Sequence, residues 1–196
     1  MTMDMQLLII GFILFVIGVV CIAIVVERKE DKQRKTLLEN VARKRNGTIV
    51  RRWLSQQLEY PYKDLTVTIQ SNFYNEYSPP QTMISASVYM KTHQEIRISR
   101  TFILWFHKKN QVNGNREFME TFKIRGGDPS LAHQLLSSDV QKCLLELEKH
   151  RPTVHLKKNR FSIIMFSIPK TEEDYEQRIH TFELCINRLK TLEMIE

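Results

Sequence analysis

An unbroken apolar run lies near the start of the chain. Residues 7–26 read LLIIGFILFVIGVVCIAIVV, with no charged side chain among them. At about 1.5 Å of rise per residue, a helix of this length spans roughly 30 Å, which is the thickness of a bilayer core. A helix packed on a soluble core would instead show a polar stripe. The run therefore predicts a transmembrane helix, with residues 1–6 as an extracytoplasmic tail.

The residues that flank this run predict its orientation. No Lys or Arg precedes it, and no small-x-small cleavage site follows it, so a signal-anchor is favoured over a cleaved signal peptide. Basic residues follow it at Arg28, Lys29 and Lys32. The positive-inside rule then places the N-terminus outside and the rest of the chain in the cytoplasm. We expect a single-pass protein of the cell membrane.

Residues 27–46 are predicted to form a basic juxtamembrane helix. Leu37, Leu38 and Val41 share one apolar stripe, and Asn46-Gly47 is typical of a helix end. The cytoplasmic domain is then expected to occupy residues 47–196.

From residue 47 onwards the apolar spacing changes to the period of two that indicates half-buried strands. Predicted strands cover residues 49–54, 65–70, 82–90, 95–106 and 118–125. Tyr60-Pro61-Tyr62 is interpreted as a turn, and Asn113-Gly114 as the hairpin turn that leads into the strand at 118–125.

Helical spacing returns after Gly126-Gly127-Asp128-Pro129, with Asp128 as the expected N-cap. The pair Ser138-x-x-Gln141 resembles a capping box and predicts that the helix restarts there. A hairpin is expected between residues 154 and 168, and Thr171 should cap the last helix. Its buried stripe comprises Tyr175, Ile179, Phe182, Ile186 and Leu189. Strands followed by helices predict an α+β domain with a mainly antiparallel sheet of about five to seven strands.

The charge of the chain is concentrated beside the predicted span. The formal net charge is +7 over 196 residues, and residues 27–52 alone hold ten basic and four acidic side chains. This concentration of positive charge therefore indicates the orientation of the chain in the membrane more than nucleic-acid binding. No nucleic acid is expected as a partner. Candidate contacts to lipid or a protein partner are Arg43, Lys44, Arg45, Arg51, Arg52, Tyr74 and Tyr77.

Motifs for catalysis are not found in the sequence. The Gly-Gly-Asp turn lacks the spacing of a P-loop or dinucleotide site. The six histidines show no helical metal-ligand spacing, and no GxSxG motif is present. The three cysteines, Cys21, Cys143 and Cys185, suit a reducing compartment and are interpreted as small buried hydrophobes. We expect no cofactor and no metal, and we lean against an enzyme.

One pattern carries a family resemblance. Phe118, Phe122, Ile124 and Gly126, followed by Asp128-Pro129 and Leu131-Ala132, form a series similar to bacterial membrane-anchored proteins of uncharacterised function. The resemblance implies N-terminal spans and a cytoplasmic α+β domain, and it carries no activity.

Two functions remain open on the sequence. The cytoplasmic domain is expected to act as a protein-interaction or scaffolding module, with a protein partner or a second copy of the chain as its ligand. The alternative is a membrane-tethered enzyme or small-ligand-binding domain whose site is assembled from distant residues.

Overall fold

A computed structural model describes residues 3–52, 55–72, 79–91, 95–100, 115–127 and 129–195. The chain divides into two compact units, Met1–Glu39 and Asn40–Glu196. The first helix, α1, runs over Met3–Lys44 and includes the predicted span. Within the described residues, no helix is apolar enough over a sufficient length to cross a membrane. The structure therefore gives no support to the transmembrane helix predicted at residues 7–26.

The second unit is built on one sheet of eight described strands. The strands are β1 (Thr48–Arg52), β2 (Ser55–Tyr62), β3 (Leu65–Asn72), β4 (Gln81–Ser87), β5 (Ile96–Arg100), β6 (Phe122–Arg125), β7 (Thr153–Lys157) and β8 (Arg160–Met165). Their order is β1-β2-β3-β4-β8-β7-β5-β6, and every neighbouring pair is antiparallel. The α+β class and the antiparallel sheet are confirmed, but the sheet is larger than the five to seven strands expected.

The remaining helices lie between strands along the chain, except the last one, which follows the final strand. They are α2 (Arg116–Thr121), α3 (Pro129–Leu135), α4 (Ser138–Glu146), a 3₁₀ turn (Glu148–His150) and α5 (Glu172–Thr191). The C-terminal helix is confirmed, and its whole predicted stripe from Tyr175 to Leu189 is buried. Thr171 caps it as predicted, because its side chain accepts a hydrogen bond from the Asp174 amide at 3.2 Å.

One face of the sheet forms the core. Alternate residues on adjacent strands lie opposite each other on this face, as in Leu58–Ile69, Ile69–Ile84 and Ile84–Ile163. Helix α5 packs on it, since the ring centroids of Phe161 and Phe182 are 5.2 Å apart. The second face of the sheet therefore carries the intervening, mostly polar residues.

The extra strand arises where a turn was predicted at residues 60–62. Tyr60 and Pro61 lie inside β2, and the turn follows at Lys63, which has a φ of 56°. Proline is tolerated there because β1 pairs with β2 only as far as Glu59. The missing amide of Pro61 therefore breaks no bond of the β1–β2 ladder.

The predicted strand at 118–125 is wrong in its first half. Residues 116–121 are helical, and Asn115 caps this helix by accepting from the Glu117 amide at 3.0 Å. Phe118 and Phe122 stack at 4.8 Å between centroids, which is the contact expected four residues apart on a helix. The strand at Phe122–Arg125 is confirmed. The Asn113-Gly114 turn lies outside the described residues.

The Gly126-Gly127 pair ends β6 in a turn that only glycine fits. Both residues have φ near +72°, and a Cβ at Gly126 would lie 2.4 Å from the Glu95 carbonyl oxygen. Helix α3 then begins at Pro129, and the expected cap Asp128 lies outside the described residues. The helix restarts as predicted, but Ser137 rather than Ser138 is the N-cap.

Candidate functional site

Two of the predicted basic contacts are engaged within the second unit. Lys44 Nζ lies 2.5 Å from Glu172 Oε2. Arg45 forms ion pairs with Glu176 and, at 2.8 Å, with Glu183. These pairs join the end of α1 to α5. Two of the five basic residues interpreted as a lipid or partner contact therefore have a partner inside the domain.

The other members of the predicted set are distributed differently. Arg43 and Arg51 are exposed. Arg52 closes β1, and its side chain lies outside the description. Tyr74 and Tyr77 also lie outside the described residues. Whether the basic and aromatic candidates lie together is therefore outside the described residues, and their contact to lipid or protein stays a prediction.

The second face of the sheet carries a row of polar residues that crosses every described strand. Each member is the register partner of the next. The row runs Thr48, Glu59, Thr68, Ser85, Ser162, His155, Arg97 and Arg125. Ser85 and Ser162 in its middle are buried, whereas Arg97 and Arg125 at one end are exposed. Thr48 at the other end is exposed as well, so the exposed basic side chains of this row are those of its cationic end.

We call Arg97, Arg125 and Lys123 the cationic patch. Arg97 and Arg125 are direct partners across β5 and β6, and Lys123 lies two residues before Arg125 on the same face. All three side chains are exposed. Among the described residues, no ion pair joins any of them to a carboxylate. Like charges placed directly opposite each other on antiparallel strands are destabilising, so this pairing opposes folding rather than assisting it.

The neighbours of the cationic patch differ in charge state. His155 is the register partner of Arg97, and burial, followed by Arg97 and Lys157, lowers the pKa of its imidazole. Lys157 forms an ion pair with Glu95 at 3.2 Å. His155 is thus held neutral beside the patch, and the uncompensated positive charge is confined to the patch itself.

A shallow hollow of about 490 Å³ lies farther along the same face, towards β2. Its lining includes Glu59, Asp64, Thr68, Ser85, Ser87 and Arg160. The Arg160 guanidinium donates to Ser85 Oγ at 2.9 Å. Glu59 of β2, Asp64 of the turn after it and Arg160 of β8 therefore share one open polar depression.

A separate polar cluster has the residue types of a catalytic triad. Ser167 Oγ lies 2.7 Å from His150 Nδ1, and His150 Nε2 lies 3.5 Å from Asp174 Oδ1. However, the fully buried Arg178 donates to both oxygens of Asp174, to Ser167 Oγ and to the Ser167 carbonyl. The Asp174 carboxylate therefore pairs mainly with Arg178 and not with the His150 imidazole. The cluster is best explained as a structural clamp on α5.

Metal and thiol chemistry find little support in the described part of the chain. No group of three His, Cys, Asp or Glu side chains there could hold a metal ion. Burial raises the pKa of the Cys185 thiol to about 12 and also raises that of Cys143. Thiols with a raised pKa are poor nucleophiles, because the thiolate is the reactive form.

The cationic patch was missed by sequence reasoning because its parts are far apart. Arg97 and Arg125 are separated by a connection of more than twenty residues, and His155 joins them only because β7 lies beside β5. A usable signal was present in β5 and β6. Arg97 and Ser99, like Lys123 and Arg125, are polar residues spaced by two between apolar ones, so each pair lies on one face.

Comparison with known proteins supports the fold. No protein-family model matches the chain, and no curated protein is similar to it. The crystal structure of the mycobacterial trehalose monomycolate transport factor A is similar, with a TM-score of 0.54 and 10% sequence identity. The match covers 83% of this chain and 95% of that one. At this identity the likeness shows the fold alone.

Proposed function

We propose that this protein is a single-pass membrane protein whose cytoplasmic α+β domain acts as a protein-interaction module. The observation that carries the proposal is the second sheet face, which presents uncompensated, exposed cations although they oppose folding. Among the described residues these side chains pair with no carboxylate, so an anionic surface that binds them would relieve their repulsion. The domain offers no comparably accessible catalytic cluster in its described residues, since Arg178 occupies the Ser-His-Asp group.

Anchoring in the membrane is supported by the side chains of α1. Phe12 and Phe15 are each 69% exposed, and Val25 is 65% exposed. Large apolar side chains exposed along one helix are typical of contact with lipid or another protein. Together with the uncharged run at 7–26 and the basic residues after it, they favour a span with the N-terminus outside.

The name of the structural neighbour is compatible with a non-catalytic role for this protein. Its name is that of a transport factor, and an interaction domain at the membrane would suit an accessory task of that general kind. We extend to this chain only the general kind of role, and no ligand of the neighbour.

Membrane topology can be tested on the full chain with an epitope tag at either end. We expect the protein to remain in the membrane pellet after alkaline carbonate extraction. In intact cells the N-terminal tag should be accessible to antibody, and the C-terminal tag only after permeabilisation. Release by carbonate, or a C-terminal tag accessible in intact cells, would contradict the proposed anchor and orientation.

Interaction can be tested by photo-crosslinking in cells. A photoreactive amino acid replaces Ser99, which lies opposite Lys123 on the second face, and in a matched variant it replaces Lys142, which is exposed on α4. We expect a discrete adduct from the first position and none from the second. If the full chain is recovered alone from both variants, the interaction module loses its support.

A second function is favoured by one observation, the hollow beside Arg160. It combines acidic side chains, Glu59 and Asp64, with a guanidinium, which is the pairing that recognises a small zwitterion. Saturation-transfer NMR of the full chain in detergent with free amino acids tests this reading. Signals that vanish in Arg160→Ala support ligand binding, and signals absent from the native protein refute it.

A further inference from the structure

The arrangement of charge on the second sheet face points to a specific kind of partner. Arg97 and Arg125 are opposite each other on neighbouring strands, and Lys123 follows on the same face. Paired residues on antiparallel strands lie roughly 5 Å apart, and alternate residues along a strand roughly 6.8 Å apart. The three cations thus form a small triangle with the spacing of side chains on an extended peptide.

Protection of an exposed strand does not explain this triangle. Positive charge on the outermost described strand can discourage pairing between copies of a protein, and that would account for Lys123 and Arg125. Arg97 lies on β5, which is paired on both sides, by β6 and by β7. Its charge adds repulsion to Arg125 without protecting an edge, so an external anion is the better explanation.

We propose that the cationic patch binds an acidic segment of a partner protein, in which Asp or Glu occupies alternate positions of an extended stretch. One carboxylate would lie between Arg97 and Arg125, and the next would reach Lys123. Guanidinium groups suit this role because they hold carboxylates through two parallel hydrogen bonds. This inference rests on the proposed function and specifies the partner of the same face.

Two other anionic partners fit the surface less well. Single-stranded nucleic acid binds to sheets through stacking on exposed aromatic side chains, and the one aromatic ring among the described residues of the polar row, His155, is half-buried. An anionic membrane surface would cover a wider area, including Glu59 in the same row and Asp64 in the hollow. Those carboxylates would be repelled, whereas a narrow peptide touches only the cationic end.

The test measures binding of a fluorescent ten-residue peptide in which glutamate alternates with valine, to the full chain in detergent. A peptide with glutamine at each glutamate position is the matched control. We expect saturable binding by anisotropy, weakened at least tenfold by the glutamine exchange and strongly reduced by added salt. Arg97→Glu and Arg125→Glu should each weaken binding at least tenfold, and Lys142→Glu, the same charge change on α4, should not.

A charge swap separates loss of the patch from loss of the fold. The double variant R97E/R125E should bind a peptide in which lysine alternates with valine, which the native protein does not bind. The inference is overturned if the acidic peptide does not bind, or if K142E weakens it as much as R97E. It is also overturned if an oligothymidine or anionic phosphatidylserine vesicles bind as tightly and with the same dependence on Arg97.

The outcomes for the two proposals can be distinguished. A crosslinked partner at Ser99 that persists in R97E/R125E, with no peptide binding, refutes the acidic segment and leaves the interaction module standing. Peptide binding that follows the expected pattern, with no adduct in cells, supports the recognition chemistry and refutes the module under those conditions.

Discussion

Replacement of Arg178 by methionine should destabilise the domain more than any exposed charge change. The Arg178 side chain is fully buried and donates to Asp174 Oδ1 at 3.1 Å, to Asp174 Oδ2 at 3.2 Å and to the Ser167 carbonyl at 2.9 Å. Burial lowers the pKa of this guanidinium, and Asp174 counteracts the effect. The ion pair thus compensates much of the cost of burying the charge.

The magnitude follows from what the substitution leaves behind. Removing one member of a buried ion pair costs about 3–5 kcal/mol, because the other charge stays buried without its partner. Asp174 is 20% exposed and keeps a hydrogen bond from the Lys170 amide at 3.3 Å. We therefore expect Arg178→Met to cost about 3 kcal/mol, near the lower end. For a domain of this size, that corresponds to a fall in Tm of roughly 6–12 °C.

The assay is thermal unfolding of the full chain in detergent, followed by circular dichroism at 222 nm. Lys142→Met removes the same charge from an exposed site on α4 and should shift Tm by no more than about 2 °C, since exposed substitutions change stability by about 0.5 kcal/mol or less. The double variant R178M/D174N should be less unstable than the sum of its single variants, because no uncompensated carboxylate remains. Equal Tm values for R178M and K142M would refute the clamp.

Three further predictions concern the turn after β6, one histidine and one thiol. Gly126→Ala should lower stability by about 2 kcal/mol, because its φ of +73° is strained for alanine and its Cβ would meet the Glu95 carbonyl; an unchanged unfolding midpoint in urea would contradict this. The pKa of His155 is lowered in the folded state, so the folded state binds fewer protons than the unfolded state. The stability that the neutral His155 contributes is therefore complete above about pH 6.5 and is lost as the pH falls through the folded pKa. His155→Gln should therefore flatten the decline of Tm between pH 7.5 and 5, and an identical decline would exclude the histidine as its source. The pKa of Cys185 is raised to about 12, so its thiol should resist iodoacetamide at pH 8 in the native protein and react fully in denaturant. Peptide mass spectrometry measures the labelling, and labelling of the native protein would show that the core opens.

The sequence predicted those elements whose side-chain pattern agrees with their local packing. The stripe from Tyr175 to Leu189 repeats every three to four residues, and it is buried as expected. The hairpin of β7 and β8 turns at Lys158-Asn159, within the predicted segment. In these places the periodicity, the cap and the turn residues all favour the same structure.

Errors occurred where one signal outweighed another. Pro61 was interpreted as part of a turn, although strand register lets it lie beyond the last β1 pair. The Phe118 to Phe122 stretch was interpreted as alternating, although a spacing of four also fits a helix capped by Asn115. The cationic patch could not be predicted, because strand order is a property of the whole chain and not of any local window.

The position of β4 has a consequence for synthesis of the chain on the ribosome. Strands β1 to β4 pair in sequence order, but the other neighbour of β4 is β8, whose register places Ile84 opposite Ile163. At about 5–20 residues per second, the ribosome needs roughly 4–16 s to complete β8 after β4 has emerged. During that interval β4 presents an unpaired edge with apolar side chains, which can pair with another nascent chain.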